Sequence, residues 1–261
     1  MENINAKLQM SKQKLTSLPM RKIIPNMVTT LALCAGITSM RYSMAGNFSK
    51  AIACIFLAAI FDMLDGRVAR MLKGSTKFGA ELDSLSDFAS FGVAPAILMY
   101  RWTLFDFPKF GWFFCMLFAI CMAMRLARFN TMLEDEPQPP YWHNYFTGVP
   151  APAAAALGVL PVMLSFIFKE CTLLQSNWLC SIVMFVVAML MISRIPTVST
   201  KHMKVPTYMI APLFVVLVLG ATLIFSMPWA VLSAMVIIYA LTIPLGIWCF
   251  LKGRKAYNTK I

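Results

Sequence analysis

Five of the chain's 11 acidic residues, Asp62, Asp65, Glu81, Asp83 and Asp87, fall within 26 positions, and the four aspartates sit at the edges of long apolar runs. An aspartate at mid-membrane costs about 2.5–3.5 kcal/mol on insertion scales, so four unpaired ones would cost roughly 10 kcal/mol, with some relief near the interface. Something cationic or aqueous must therefore receive them. Asp62, Asp65, Gly66, Ala69 and Arg70 recur at steps of three and four, which places them on one stripe of a helix. Two carboxylates one turn apart then flank a stretch where Gly66 and Ala69 leave little side-chain bulk, so a ligand can approach the backbone. Gly79, Asp83 and Asp87 follow at steps of four, again on one narrow face. A short connection from Lys73 to Phe78 would fold the two helices side by side and bring four carboxylates to one end of a wedge. Carboxylate oxygens with no nearby His or Cys favour a hard divalent cation, Mg²⁺ or Mn²⁺, and four formal negative charges suit two ions. Sites with two such ions commonly act on phosphoryl groups, and Arg70 is placed to meet a further phosphate charge. The competing reading, ion pairs from the aspartates to Arg67, Arg70, Lys73 and Lys77, gives no reason for small residues on the same stripe. Glu81 lies off the Asp83 face and reads as a solvated interfacial acid.

The elements that position these residues follow from composition. The chain has 261 residues, 59% hydrophobic and 13% charged, against about 45–50% and about 25% in an average soluble domain. That excludes an ordinary soluble enzyme. Crossing the bilayer takes roughly 20 apolar residues, and in lipid every backbone amide must be satisfied within its own segment, so helices are expected. Eight apolar runs fit, near residues 25–43, 48–72, 80–100, 110–129, 149–168, 177–193, 206–226 and 228–250. The expected fold is an all-α polytopic membrane bundle of about eight transmembrane helices. It divides into a basic arm (1–24), a membrane domain (25–251) and a basic tail (252–261). With both termini cytoplasmic, only Arg41, Lys50, Arg101, Lys109 and Lys169 fall on the outer side among 23 Lys and Arg, which satisfies the positive-inside rule. The net charge of +12 thus reads as orientation at a membrane, and no nucleic-acid partner is expected. The first 24 residues lack an apolar core with a small-residue cleavage site, so no removable signal peptide is expected. His143 and His202, in connections on the inner side, read as surface residues.

The fixed positions Asp62, Asp65, Gly66, Ala69, Arg70, Gly79, Asp83 and Asp87 together resemble the full signature of the CDP-alcohol phosphotransferases. Segments outside it are similar to an integral-membrane subgroup of bacteria and archaea. These are Ile24-Pro25-Asn26 through Thr30 opening the first helix, Ser86 through Pro95 on the third, Arg125 through Asn130 ending the fourth, and Phe146 through Pro152 opening the fifth. The resemblance implies transfer of a phosphatidyl group from CDP-diacylglycerol to the hydroxyl of L-serine, with release of CMP, at two Mg²⁺ or Mn²⁺ ions. It implies Asp62, Asp65, Asp83 and Asp87 as metal ligands, with Asp87 also the base that takes the serine proton. Gly66, Ala69, Arg70 and Gly79 would cradle the CDP moiety, with Thr76, Asn26 and Thr29 as further contacts. Arg125 and Arg128 read either as positive-inside anchors or as the group that holds the serine carboxylate, with Asn130 beside them. The same resemblance implies a homodimer, membrane lipids as surroundings, and a multi-pass protein of the cytoplasmic (inner) membrane whose site faces the cytoplasm. Two alternatives stay open: the same chemistry on glycerol 3-phosphate or inositol phosphate, and an ion-coupled transporter, since intramembrane carboxylates also mark cation paths.

Overall fold

A computed structural model of the chain describes residues 20–72, 74, 76–107, 110–132, 145–193, 196–198, 218–220 and 222–258. The expected span at 206–226 falls mostly outside these residues. So do most of the 1–24 arm, both histidines, and the acidic, proline-containing stretch 134–140.

Helix α1 (Met20–Met44) turns tightly into α2 (Phe48–Leu72) through Gly46, whose φ of +76° is the left-handed conformation that glycine adopts without cost. The turn closes by Gly46 N–H donating to Ser43 O at 3.1 Å and Asn47 N–H to Tyr42 O at 2.9 Å. So short a connection makes the helices antiparallel, and they form the most extensive helix pair in the fold. Small residues allow the close approach: Ala51 and Ala58 are fully buried, and Ser39 Oγ donates to Ala51 O at 2.8 Å. The hairpin therefore sets the start of α1, with Asn26 and Thr29, beside the end of α2, with Asp62 and Asp65.

The third apolar run is a continuous helical rod, Lys77–Trp102, but it is not uniform. It consists of α3 (Lys77–Asp87), a π-helical turn (Phe88–Val93) and α4 (Ala94–Trp102). Thr76 caps α3, its Oγ1 accepting from Gly79 N–H at 2.9 Å. Two serines fasten the rod to α1: Ser86 Oγ donates to Thr29 O and Ser90 Oγ to Ala32 O, each at 3.3 Å. Gly36 faces the π turn so closely that a Cβ there would stand 2.8 Å from Ser90 Cα.

Helix α5 (Gly111–Met132) packs on α8 (Asn177–Ile192), with the Phe114 and Phe185 rings edge to face at 6.4 Å. Between them in sequence, the run expected as one span over 149–168 divides into α6 (Ala151–Gly158) and α7 (Leu160–Ile167), broken at Val159. Pro161 explains the break, because it has no N–H to continue the hydrogen-bond ladder and is suited to the first turn of a new helix. A small non-helical feature joins the bundle: β1 (Tyr145–Thr147) pairs antiparallel with β2 (Pro196–Val198), Phe146 opposite Thr197. Helix α9 (Pro228–Asn258) lies on α7, where Trp229 meets the Phe166 ring at 5.1 Å, and continues past Leu251 into the stretch expected as tail.

Among the described residues, three helices are long and apolar enough to cross a membrane: Ile23–Met44, Lys77–Trp102 and Gly111–Thr131. Asn177–Ile192 and Pro228–Pro244 are shorter apolar helices. Large apolar side chains such as Leu31, Ile37, Trp112, Ile120 and Ile182 are exposed on the outside, while Phe91, Leu98, Met99, Phe118 and Met122 fill the interior. That arrangement suits a lipid surround.

Candidate active site

Four helices bring their polar ends together at one end of the bundle. The α1–α2 hairpin supplies its open end, α3 its whole length and α5 its last turns. Asp62, Asp83 and Asp87 converge there: a carboxylate oxygen from each lies within 4.8 Å of the others, and all three side chains are half-buried. The Asp62 and Asp87 carboxyls approach to hydrogen-bonding distance, and Asp83 lies within electrostatic reach of both Asp62 and Asp65. Asp65 stands slightly apart. It is 5% exposed, its Oδ2 is buried without a hydrogen-bond partner among the described residues, and the Thr29 hydroxyl lies beside it. Like charges packed this closely need a counter-charge, and the nearby basic residue of the motif does not provide one. Arg70 turns back on its own helix, Nε donating to Gly66 O at 3.0 Å. A crowded set of carboxylates, one with an orphaned buried oxygen, is the donor set that fits a hard divalent cation.

Next to this cluster is a cavity of about 140 Å³ lined by Pro25, Asn26, Thr29, Asp65, Gly66, Ala69, Gly74, Thr76, Gly79, Ala80 and Asp83. The wedge expected between two helices thus has three walls, since α1 closes the third side. Gly74 belongs to the lining, its N–H donating to Ala69 O at 3.0 Å just past the end of α2. The cavity opens at the N-terminal end of α3, the end of a helix that favours anions. The two glycines play different parts. Among the described residues a Cβ on Gly66 would meet nothing within 4 Å, whereas one on Gly79 would stand 2.7 Å from Asn26 Oδ1 and 3.0 Å from Thr76 Oγ1. A second recess of about 480 Å³ shares Asn26 and Thr76 with the cavity and is otherwise lined by Thr30 and the apolar Ile23, Met27, Phe78 and Leu82.

The three residues expected near the acceptor separate. Arg125, near the end of α5, lies within electrostatic reach of Asp87 and Asp62, and its Nε is buried without a partner among the described residues. Arg128 points elsewhere: Nη1 donates to Ile192 O at 2.6 Å and so caps the end of α8. Asn130 braces α5 against α3, its Nδ2 donating to Ser84 Oγ at 2.9 Å. Glu81 is exposed. Of the cavity lining, Pro25, Gly74 and Ala80 were not expected. Pro25 abuts Asn26 and Ala80 abuts Gly79, so neighbourhood to the motif was their only signal.

The chain belongs to the CDP-alcohol phosphatidyltransferase family, whose model matches residues 22–183. Among its curated relatives is the CDP-diacylglycerol--serine O-phosphatidyltransferase of Mycobacterium leprae, 39% identical over 228 residues, which cover 87% of this chain and 75% of the relative. The proteins of the same name from Helicobacter pylori and Methanocaldococcus jannaschii are 34% and 36% identical. The first match covers 90% of this chain and 95% of the relative, the second 75% and 82%.

Proposed function

We propose that this protein transfers the phosphatidyl group of CDP-diacylglycerol to the hydroxyl of L-serine and releases CMP. The observation that carries the reading is the juxtaposition of the Asp62, Asp83 and Asp87 carboxylates, within 4.8 Å of one another, with the glycine-walled cavity at the start of α3. The relatives' shared name supports the choice of acceptor.

The cavity takes the CDP moiety. Gly66, Ala69 and Gly79 leave room for the nucleotide and its phosphates against the backbone, while Asn26, Thr29 and Thr76 offer polar contacts and Arg70 a charge at the rim. The apolar recess beyond Asn26 and Thr76 leads the diacylglycerol part toward the lipid side. Asp62, Asp65, Asp83 and Asp87 hold the divalent cations, Mg²⁺ or Mn²⁺ and two in number, which when bound neutralise the pyrophosphate and stabilise charge on its oxygens. Asp87 faces the acceptor and takes the proton of the serine hydroxyl. The serine oxygen forms a bond to the phosphatidyl phosphorus, the bond from that phosphorus to the bridging oxygen breaks, and the electron pair leaves with CMP.

In the cell the protein spans the cytoplasmic membrane eight times as a homodimer, with both termini and the site at the cytoplasmic face. The clustering of basic residues supports this orientation, as does the gathering of every site residue at one end of the bundle. The deciding experiment supplies purified protein in detergent with CDP-diacylglycerol, Mg²⁺ or Mn²⁺ and labelled L-serine, alongside glycerol 3-phosphate and inositol phosphate. The expected result is CMP release with serine. Release with glycerol 3-phosphate alone would overturn the acceptor, and no release with any alcohol would overturn the transferase reading.

A further inference from the structure

The donor half of the site comes from α1, α2 and α3, and its residues all lie within those matched by the family model. Helix α9 lies beyond residue 183, where that match ends. Of its two buried polar atoms without a partner among the described residues, Ser233 Oγ and the Tyr239 hydroxyl, the second is the one in reach of Arg125. The hydroxyl oxygen of Tyr239 is buried and has no hydrogen-bond partner among the described residues, and neither has Arg125 Nε. The two side chains lie within electrostatic reach of each other, and Arg125 in turn reaches Asp87 and Asp62. A buried phenol oxygen and a buried guanidinium nitrogen, both unsatisfied among the described residues, with the guanidinium in reach of the proposed base, are a costly arrangement unless a ligand completes it.

We infer that Tyr239 and Arg125 form the acceptor subsite, with the Tyr239 hydroxyl and the Arg125 guanidinium donating together to the carboxylate of the incoming amino acid. This rests on the proposed transfer to serine and names the residue that selects for it. The donors present decide the ligand class. A guanidinium supplies paired N–H groups suited to a planar carboxylate, and a phenol supplies one more donor without charge. Arg128, which would have doubled the positive charge, is committed to Ile192 O. One charge and one phenol suit a monoanionic carboxylate rather than a dianionic phosphate, so the subsite favours an amino-acid alcohol over glycerol 3-phosphate. Seated there, the amino acid presents its hydroxyl to Asp87, on the side of the carboxylate cluster opposite the CDP cavity. Tyr239 is a specificity residue in this arrangement and takes no part in moving the proton.

The test is Tyr239→Phe, which removes the hydroxyl and keeps the ring. Loss of one donor to a charged group raises KM for L-serine roughly tenfold. KM for CDP-diacylglycerol, the turnover rate at saturating serine and the melting temperature in detergent stay within error of the wild type. Equilibrium binding of labelled L-serine to the purified protein weakens by the same factor. Turnover of ethanolamine, an acceptor without the carboxylate, is slow in the wild type and no slower in the variant. An unchanged serine KM in an enzyme active on serine would overturn this inference alone. So would a rise in both KM values with a lower melting temperature, which marks a packing role. A wild type that uses glycerol 3-phosphate and not serine would overturn the inference together with the proposed acceptor.

Discussion

Replacing Asp87 by asparagine is expected to reduce serine-dependent CMP release by about 10³-fold or more, with little change in stability. The substitution preserves shape, so the packing of α3 against α1 through Ser86 and Thr29 survives. What it removes is chemical. An amide does not accept the serine proton, and its carbonyl is a weaker donor to a divalent cation than the carboxylate grouped with Asp62 and Asp83. Because three crowded carboxylates repel one another, losing one charge relieves strain in the cation-free protein, and its melting temperature should hold or rise. Chelation of divalent cations should silence the wild type to a similar extent, with recovery on adding Mg²⁺ or Mn²⁺. Glu81→Gln is the control, since Glu81 is exposed and should leave the rate unchanged. The measurement is labelled-serine incorporation beside thermal melting in detergent. An Asp87→Asn variant retaining a tenth of the activity would remove the residue from its proposed role.

The second expectation separates two glycines of one motif by the sign of their effect on stability. Gly66→Ala places a methyl group where no atom of the described residues lies within 4 Å, inside the wall of a cavity of about 140 Å³. The protein itself has no objection, and alanine in a helix is favoured over glycine by about 1 kcal/mol, so the melting temperature should hold or rise. The donor substrate does object. The added methyl occupies space the CDP moiety needs next to the backbone, and kcat/KM for CDP-diacylglycerol should fall about 10²-fold, a misplacement effect of the usual size. Gly79→Ala behaves differently, because its Cβ would press on Asn26 Oδ1 at 2.7 Å and on the capping Thr76 oxygen at 3.0 Å. That variant should lose donor binding and melting temperature together. If Gly66→Ala leaves kinetics for CDP-diacylglycerol untouched, the cavity is not the nucleotide cradle.

Much of the site was legible in the sequence because helical periodicity carries angular information. Steps of three and four from Asp62 and from Gly79 placed the motif on two facing stripes, and the structure brings Asp62, Asp83 and Asp87 together. Periodicity says nothing about how far a side chain stands from its neighbours on another helix, so the withdrawal of Asp65 toward Thr29 was hidden. The family resemblance pointed to Asn26 and Thr29 as nucleotide contacts, but the third wall that their helix forms, and their seating against Gly79 and Asp65, are products of tertiary packing. Arg125 and Arg128 are three residues apart and chemically alike. Only the position of the α8 terminus, which Arg128 meets at Ile192 O, distinguishes them. Tyr239 gave no signal, being one aromatic residue in a long apolar helix. Pro161 would have allowed the break at Val159 to be foreseen, whereas the strand pair at Phe146 and Thr197 depends on two distant connections meeting.

The π turn after Asp87 gives the helix that contains it two independent angular phases. A uniform α-helix from Lys77 to Trp102 would have a single phase, and aiming Asp83 and Asp87 at the site would also dictate where Leu98 and Met99 point. The wide turn over Phe88–Val93 absorbs one extra residue, which slips the wheel by about 100° between its halves. The chemical half and the packing half can then each be set to its own neighbours, as the two scales of a vernier are. Losing a single residue from this turn would lock the halves back into one phase, turning either the aspartates from the site or the fully buried Leu98 and Met99 toward lipid. Substitutions spare that alignment, so here chain length between Asp87 and Ala94 constrains the protein more tightly than the identity of most side chains along it.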